Sequence, residues 1–219
     1  MVRKKQKRFQ DNFESPLVIE PGKPVFESIK GRWNEVQFKN DNPITLELAC
    51  GRGEYSVGFG KIHKDRNYIG VDIKGARLWK GMKEAAEYEL NNVAFLRTHI
   101  AQIGNFFDTG EVDEIWIIHP DPRPKKSDTH RRLTSPRYLN LYKAFLKEGS
   151  WVHLKTDNTP LFEYSVETLQ SREDVNELTY TFDIYSSPML KDHCGIQTRY
   201  EKEALEQGIS IKYLKFRLG

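Results

Sequence analysis

The sequence predicts an α/β domain built on a mainly parallel sheet, with an antiparallel pair at its C-terminal edge. Three observations predict it. From Pro43 onward, short apolar runs alternate with segments of helical spacing, the pattern of βαβ units. The first run ends in a glycine-bearing turn, Cys50-Gly51-Arg52-Gly53. The last part of the chain switches to period-two alternation over 178–185 and 209–216, which suits an antiparallel edge on a parallel sheet.

The elements follow in order. Arg3, Lys4, Lys5, Lys7 and Arg8 dominate the first ten residues, which hold no acid. Charge alone reads residues 1–10 as a basic, mobile arm and 11–42 as an extension that packs on the domain, 43–219. Residues 44–49 are an apolar strand, followed by a helix carrying Tyr55, Val57 and Phe59. Residues 68–71 are a second strand, closed by Asp72. Residues 76–90 are helical, with Leu78, Met82, Ala85 and Ala86 on one side. Residues 93–96 are a third strand. Ile115-Trp116-Ile117-Ile118 is the strongest strand, stopped by Pro120 and Pro122. A helix over 138–146, a strand over 151–154 and a helix over 161–169 come next. A last helix, 200–207, separates the two alternating segments.

Composition bounds the function. The chain has 219 residues, 34 Lys plus Arg against 31 Asp plus Glu, and a net charge of +3. That length buries a real core without disulfides or metal. No apolar run reaches the roughly 20 residues of a membrane helix, and the charged N-terminus lacks the apolar stretch of a secretory signal. Two cysteines, Cys50 and Cys194, make neither a disulfide scaffold nor a cysteine-rich zinc site, so a reducing cytoplasm and no required metal are expected. With so modest a net charge, a nucleic-acid partner must be held by local basic clusters.

In parallel sheets, ligands sit beyond the carboxyl ends of the strands. The residues there are 50–54, Asp72, His99, 119–126 and 156–158. The turn Glu47-Leu48-Ala49-Cys50-Gly51-Arg52-Gly53 lacks the first and last glycines of a dinucleotide fingerprint. Small residues at Ala49, Gly51 and Gly53 instead suit a nucleoside-bearing cofactor without a pyrophosphate, such as S-adenosylmethionine. Asp72, after the next strand, is spaced to accept ribose hydroxyls. The loop His119-Pro120-Asp121-Pro122-Arg123-Pro124-Lys125-Lys126 fixes a carboxylate between prolines and then turns basic through Arg131, Arg132 and Arg137. An acidic point beside a basic stretch suits chemistry next to a polyanion.

At these residues the sequence resembles a known family. Pro-Asp-Pro-x-Pro-Lys-Lys followed by Arg131-Arg132-Leu133 is similar to the motif of the tRNA (guanine-N7-)-methyltransferases, bacterial TrmB type. The segment 47–53, the block Thr156-Asp157-Asn158 with Pro160-Leu161-Phe162-Glu163-Tyr164, and Thr198-Arg199-Tyr200-Glu201 match further family blocks in order. The resemblance implies a class I, Rossmann-like methyltransferase fold with helices on both faces, and S-adenosylmethionine as donor. It implies the variable-loop guanine of tRNA, position 46, as acceptor, and a monomer or homodimer. Carried over by motif, Glu47, Gly51, Gly53, Asp72, His99 and Asp121 would meet the cofactor, Asp121 being also the catalytic carboxylate. Lys125, Asp157, Thr198 and Glu201 would meet the substrate. Four positions depart from the family pattern: Ala49 stands where Gly is usual, His119 where Phe is, Arg123 where Trp is, and His99 where an Asp faces the adenine. The other readings are a methyltransferase of the same fold on another RNA or small molecule, and a tRNA-binding relative that has lost catalysis.

Overall fold

A computed structural model describes residues 4–219. Eight strands form one sheet: β1 (Val18–Ile19), β2 (Ile44–Leu48), β3 (Asn67–Asp72), β4 (Val93–Arg97), β5 (Val112–Ile118), β6 (Leu146–Thr156), β7 (Val175–Thr181) and β8 (Lys212–Leu218). Their order is β1-β4-β3-β2-β5-β6-β8-β7. Pairings from β1 through β6 are parallel, and β8 runs antiparallel to both β6 and β7. The order reverses direction at β2, which lies between β3 and β5. That switch point opens a crevice at the carboxyl ends of the central strands.

The helices are α1 (Lys4–Glu14), α2 (Pro24–Ser28), α3 (Glu54–Ile62), α4 (Gly75–Glu87), α5 (Pro136–Lys143), α6 (Thr159–Gln170) and α7 (Arg199–Glu206). The two sheet faces carry separate apolar clusters, as strand alternation requires. Leu46, Leu48, Ile69, Val71, Ile115 and Ile117 pack under α5 and α6 and against Trp33 and Phe107. Tyr68, Phe95, Trp116 and Ile118 pack under α3, α4 and Ala204 of α7.

Local chemistry starts and stops these helices. Asn158 caps α6 by accepting the Leu161 N–H at 2.9 Å, with Pro160 in the first turn. Thr198 caps α7 by accepting the Glu201 N–H at 3.2 Å. Each cap satisfies an amide that has no partner inside the helix.

The basic N-terminal segment carries a helix that contacts the domain. Residues 1–3 of the expected arm lie outside the described residues. From Lys4 the chain is helix α1, laid against α4. Asn12 is fully buried and donates to the Gly75 carbonyl at 2.8 Å, and the Trp79 indole N–H donates to Asp11 at 2.7 Å. Arg8 lies 5.0 Å from the centre of the Trp79 ring. Arg8, Asp11 and Asn12 share one helix face by their spacing, a pattern that a count of charges overlooks. The Lys23 ammonium then satisfies the Asn12 and Ser15 carbonyls, at 3.0 and 2.6 Å, at the end of the helix. Strand β1, an edge strand beside β4, extends the sheet from within the extension 11–42.

Candidate active site

The turn after β2 forms the floor of the crevice. Ala49, Gly51 and Gly53 all have left-handed backbone, with φ of 57°, 58° and 69°. A Cβ on Gly53 would lie 2.4 Å from the Phe95 ring, whereas Gly51 faces open space. Glycine is thus required at 53 by packing and leaves the backbone at 51 accessible to a ligand. Ala49 holds the same conformation with a Cβ, at a cost of about 1 kcal/mol.

Two carboxylates brace this turn. Glu47 is buried, and one of its oxygens accepts both the Ser56 N–H (2.7 Å) and the Ser56 hydroxyl (2.6 Å). It therefore anchors the start of α3. Burial raises its pKa to about 7, with the Ser56 hydrogen bonds opposing the rise. Asp72 accepts the Gly51 N–H at 3.0 Å on one oxygen and the Lys74 N–H at 2.8 Å on the other. Each oxygen keeps a second lone-pair direction.

Asp72 and Asp121 line the same stretch of crevice, together with Ile73, His99, Ile100, Leu133 and Tyr138. His99 is exposed at the carboxyl end of β4, beside the apolar side chains of Ile73 and Ile100. Asp121 is accessible: its carboxylate accepts the Arg123 N–H at 3.2 Å and pairs with the Arg123 guanidinium at 3.3 Å. The crevice continues past Ala49, Arg77, His119, Asp157 and Tyr200. Lys125 is exposed on the proline loop, outside the residues that line the crevice, just before a 3-10 turn over Lys126–Arg131.

Behind this wall lies a buried ionic network. His119 Nδ1 is 3.0 Å from Asp157 Oδ1, and its Nε2 faces Glu201 Oε2 at 3.9 Å. The other Glu201 oxygen pairs with Lys155 Nζ at 2.6 Å and accepts the Tyr185 hydroxyl at 2.6 Å. Lys155 also donates to the Tyr55 hydroxyl at 2.8 Å. Burial works against every charge here. For Glu201 it is outweighed by His119, Lys155 and Tyr185, which hold the carboxyl down to about 2. For Lys155 burial prevails over Glu201 and lowers the pKa.

The structure thus brings Glu47, Gly51, Asp72, His99, Asp121, Asp157 and Thr198 to the crevice. It does not bring Glu201 there. The Glu201 side chain is fully buried: one oxygen is taken by Lys155 and Tyr185, and the other faces His119 Nε2 at 3.9 Å. Thr198 serves α7 as its cap. Sequence reasoning missed Arg77, Tyr200 and the partners Lys155, Tyr55 and Tyr185. Lys155 had a signal, an ammonium inside an apolar strand, since a lysine so placed needs a buried acid.

The arrangement fits a cationic, nucleoside-bearing methyl donor. A bare backbone turn lies between two carboxylates that retain acceptor capacity, and an apolar slot at Ile73, Ile100, Leu133 and Tyr138 continues from them. Arginines 52, 77, 123, 131, 137 and 199 also line the crevice, as a polyanionic acceptor requires.

Comparison with known proteins agrees. Residues 41–214 match a family model described as "Putative methyltransferase". The tRNA (guanine-N(7)-)-methyltransferase of Cytophaga hutchinsonii is 46% identical over 99% of this chain and 98% of its own. The enzyme of the same name from Bacteroides fragilis is 44% identical over 100% of this chain and 87% of its own. Among solved structures, the 16S rRNA methyltransferase KamB superposes with a TM-score of 0.63 at 13% identity, over 87% of this chain and 94% of that one, which shows a shared fold. The chain belongs to the tRNA (guanine-N(7)-)-methyltransferase family.

Proposed function

We propose that the protein transfers a methyl group from S-adenosylmethionine to N7 of the variable-loop guanine of tRNA, position 46, forming 7-methylguanosine. The observation that carries this reading is one continuous crevice at the switch point of the sheet. Glu47 stands at one part of it, Asp72, Asp121 and Asp157 at another, and arginines line both.

S-adenosylmethionine supplies an electrophilic methyl group on a sulfonium. Glu47 and Asp72 are the residues to hold it, with the open backbone at Gly51, and with His99 and the apolar slot toward adenine. Guanine N7 carries a lone pair and no proton, so no side chain has to act as general base. The protein's task is alignment of acceptor and donor. Positive charge moves onto the purine during transfer, and the Asp121 carboxylate at the crevice favours that shift. The guanine Watson–Crick edge presents two adjacent donors, N1–H and the exocyclic amine. Asp157 is the accessible carboxylate that can accept both, and adenine, lacking that pair, is rejected. Arg123 presents a flat guanidinium able to stack on a base. Arg131, Arg137 and Lys125 hold phosphates. The base has to leave its stack to enter the crevice.

The test is methyl transfer from labelled S-adenosylmethionine into unmodified tRNA, followed by nucleoside analysis. A 7-methylguanosine product supports the reading. Another methylated nucleoside would redirect it to a different acceptor atom, and no product without donor binding would favour a tRNA-binding role alone.

A further inference from the structure

The backbone around Asp157 is fixed from both sides. Its carbonyl accepts the Lys212 ammonium at 3.1 Å, and Asn158 is held by the Thr156 hydroxyl at 3.1 Å and caps α6. What stays free is the side-chain torsion of Asp157, which is 43% exposed to the crevice. Among the described residues, the one side chain in hydrogen-bond contact with that carboxylate is His119, at 3.0 Å. His119 itself is 5% exposed and sits at φ 44°, a left-handed backbone that a histidine adopts at some cost when its surroundings impose it.

The protonation of this ring follows from its neighbours. His119 Nε2 and Glu201 Oε2 are both buried, and neither has a hydrogen-bond partner among the described residues. They face each other at 3.9 Å. Without a proton on Nε2, a ring lone pair would face a carboxylate oxygen in a buried space. With it, the ring is an imidazolium between two carboxylates, backed by the Lys155–Glu201 pair. Asp157, His119, Glu201 and Lys155 then sum to zero charge. The other charged groups along those stretches of crevice are Glu47, Arg52, Glu54, Asp72, Lys74, Arg77, Asp121, Arg123 and Arg199, with Tyr200, and Tyr185, His193 and Lys212 adjoin the network from within. Burial lowers the His119 pKa, and the two carboxylates outweigh it and raise it overall.

We propose that His119 is the positioning residue for base selection: as an imidazolium braced by buried Glu201, it pins the Asp157 carboxylate in the orientation that accepts the guanine edge. This rests on the reading of Asp157 as the guanine acceptor. A free Asp157 rotates about its side-chain torsions and loses discrimination between bases.

The test compares kcat/KM on tRNA transcripts bearing guanine or inosine at position 46, inosine lacking only the exocyclic amine. The wild-type protein should favour guanine at least tenfold, the scale of one hydrogen bond to a charged group. His119→Phe, an aromatic of similar shape without donors, should cut that preference to below about threefold, chiefly through KM. His119→Gln, which can still donate to Asp157, should restore most of it. A purely structural role would lower both transcripts equally. His119→Phe with wild-type preference would overturn the proposal alone. A wild-type protein that methylates both equally, or neither, would overturn the assignment of Asp157 and this proposal with it. Should His119→Phe fail to fold, nitrogen NMR of the wild-type ring decides independently. Both ring nitrogens protonated at pH 7 supports the imidazolium brace, and a neutral tautomer overturns it.

Discussion

Asp72 joins the turn after β2 to the start of α4: one oxygen accepts the Gly51 amide at 3.0 Å, the other the Lys74 amide at 2.8 Å. It therefore fixes the turn after β2 against the start of α4 while facing the crevice. Asp72→Ala should weaken S-adenosylmethionine binding at least tenfold and lower stability by about 3 kcal/mol, the scale of two lost charge-assisted hydrogen bonds. Calorimetric titration and denaturant unfolding measure the two effects, and unchanged donor affinity would remove Asp72 from the cofactor site.

Ala49 holds φ 57° where a glycine would be unstrained. Ala49→Gly should raise stability by about 1 kcal/mol, which for a protein of this size lifts Tm by about 2–4 °C. A thermal melt of the two proteins measures it. A lower Tm would mean that Cβ contacts at 49 outweigh the backbone strain.

Glu47 makes the donor-free protein sensitive to pH. Its folded pKa, about 7, lies above the ordinary carboxyl value of 4.5, so the neutral carboxyl is the form favoured by folding. Its contribution to stability is complete below about pH 4.5 and is lost as pH rises toward 7, in all about 3 kcal/mol. Glu47→Gln, whose amide oxygen can still accept from Ser56, should lack this loss. Unfolding curves of both proteins at pH 5 and pH 8 should diverge at the higher pH, and parallel curves would contradict the burial argument.

Asp121 touches only Arg123 among the described hydrogen bonds and ion pairs, and its side chain is 60% exposed. Asp121→Ala should therefore leave Tm within about 1 °C and reduce turnover at least a hundredfold, the scale of removing one group aimed at transition-state charge. Single-turnover rates with donor and tRNA saturating measure the second effect. Near-normal turnover would exclude Asp121 from the mechanism.

The central fold was legible where one physical signal dominated. The runs 44–49, 68–71, 93–96 and 115–118 are strands buried on both faces, and they reappear as β2 to β5 with boundaries shifted by a few residues. The same holds for the antiparallel edge, where β8 separates β6 from β7. Residues 138–146 were less legible: α5 stops at Lys143, and Leu146 already begins β6, whose first half is polar. Helix α1 was hidden because Asp11 and Asn12 acquire meaning only beside Trp79 and Gly75. At the site, motif spacing located Glu47, Asp72, Asp121 and Asp157, all short-range consequences of strand ends. It did not show the buried pairing of Glu201, whose partners Lys155, Tyr185 and His119 are remote in sequence. Only the folded chain distinguishes a carboxylate that lines the crevice from one that is buried behind it.

The measurement that tests the account most directly is the position of the product within tRNA. Unmodified transcript is incubated with protein and S-adenosylmethionine, then cleaved chemically at 7-methylguanosine, beside a transcript with adenine at position 46. The account predicts a single cleavage at position 46 in the first and none in the second. Cleavage elsewhere, or equal methylation of both transcripts, would contradict it.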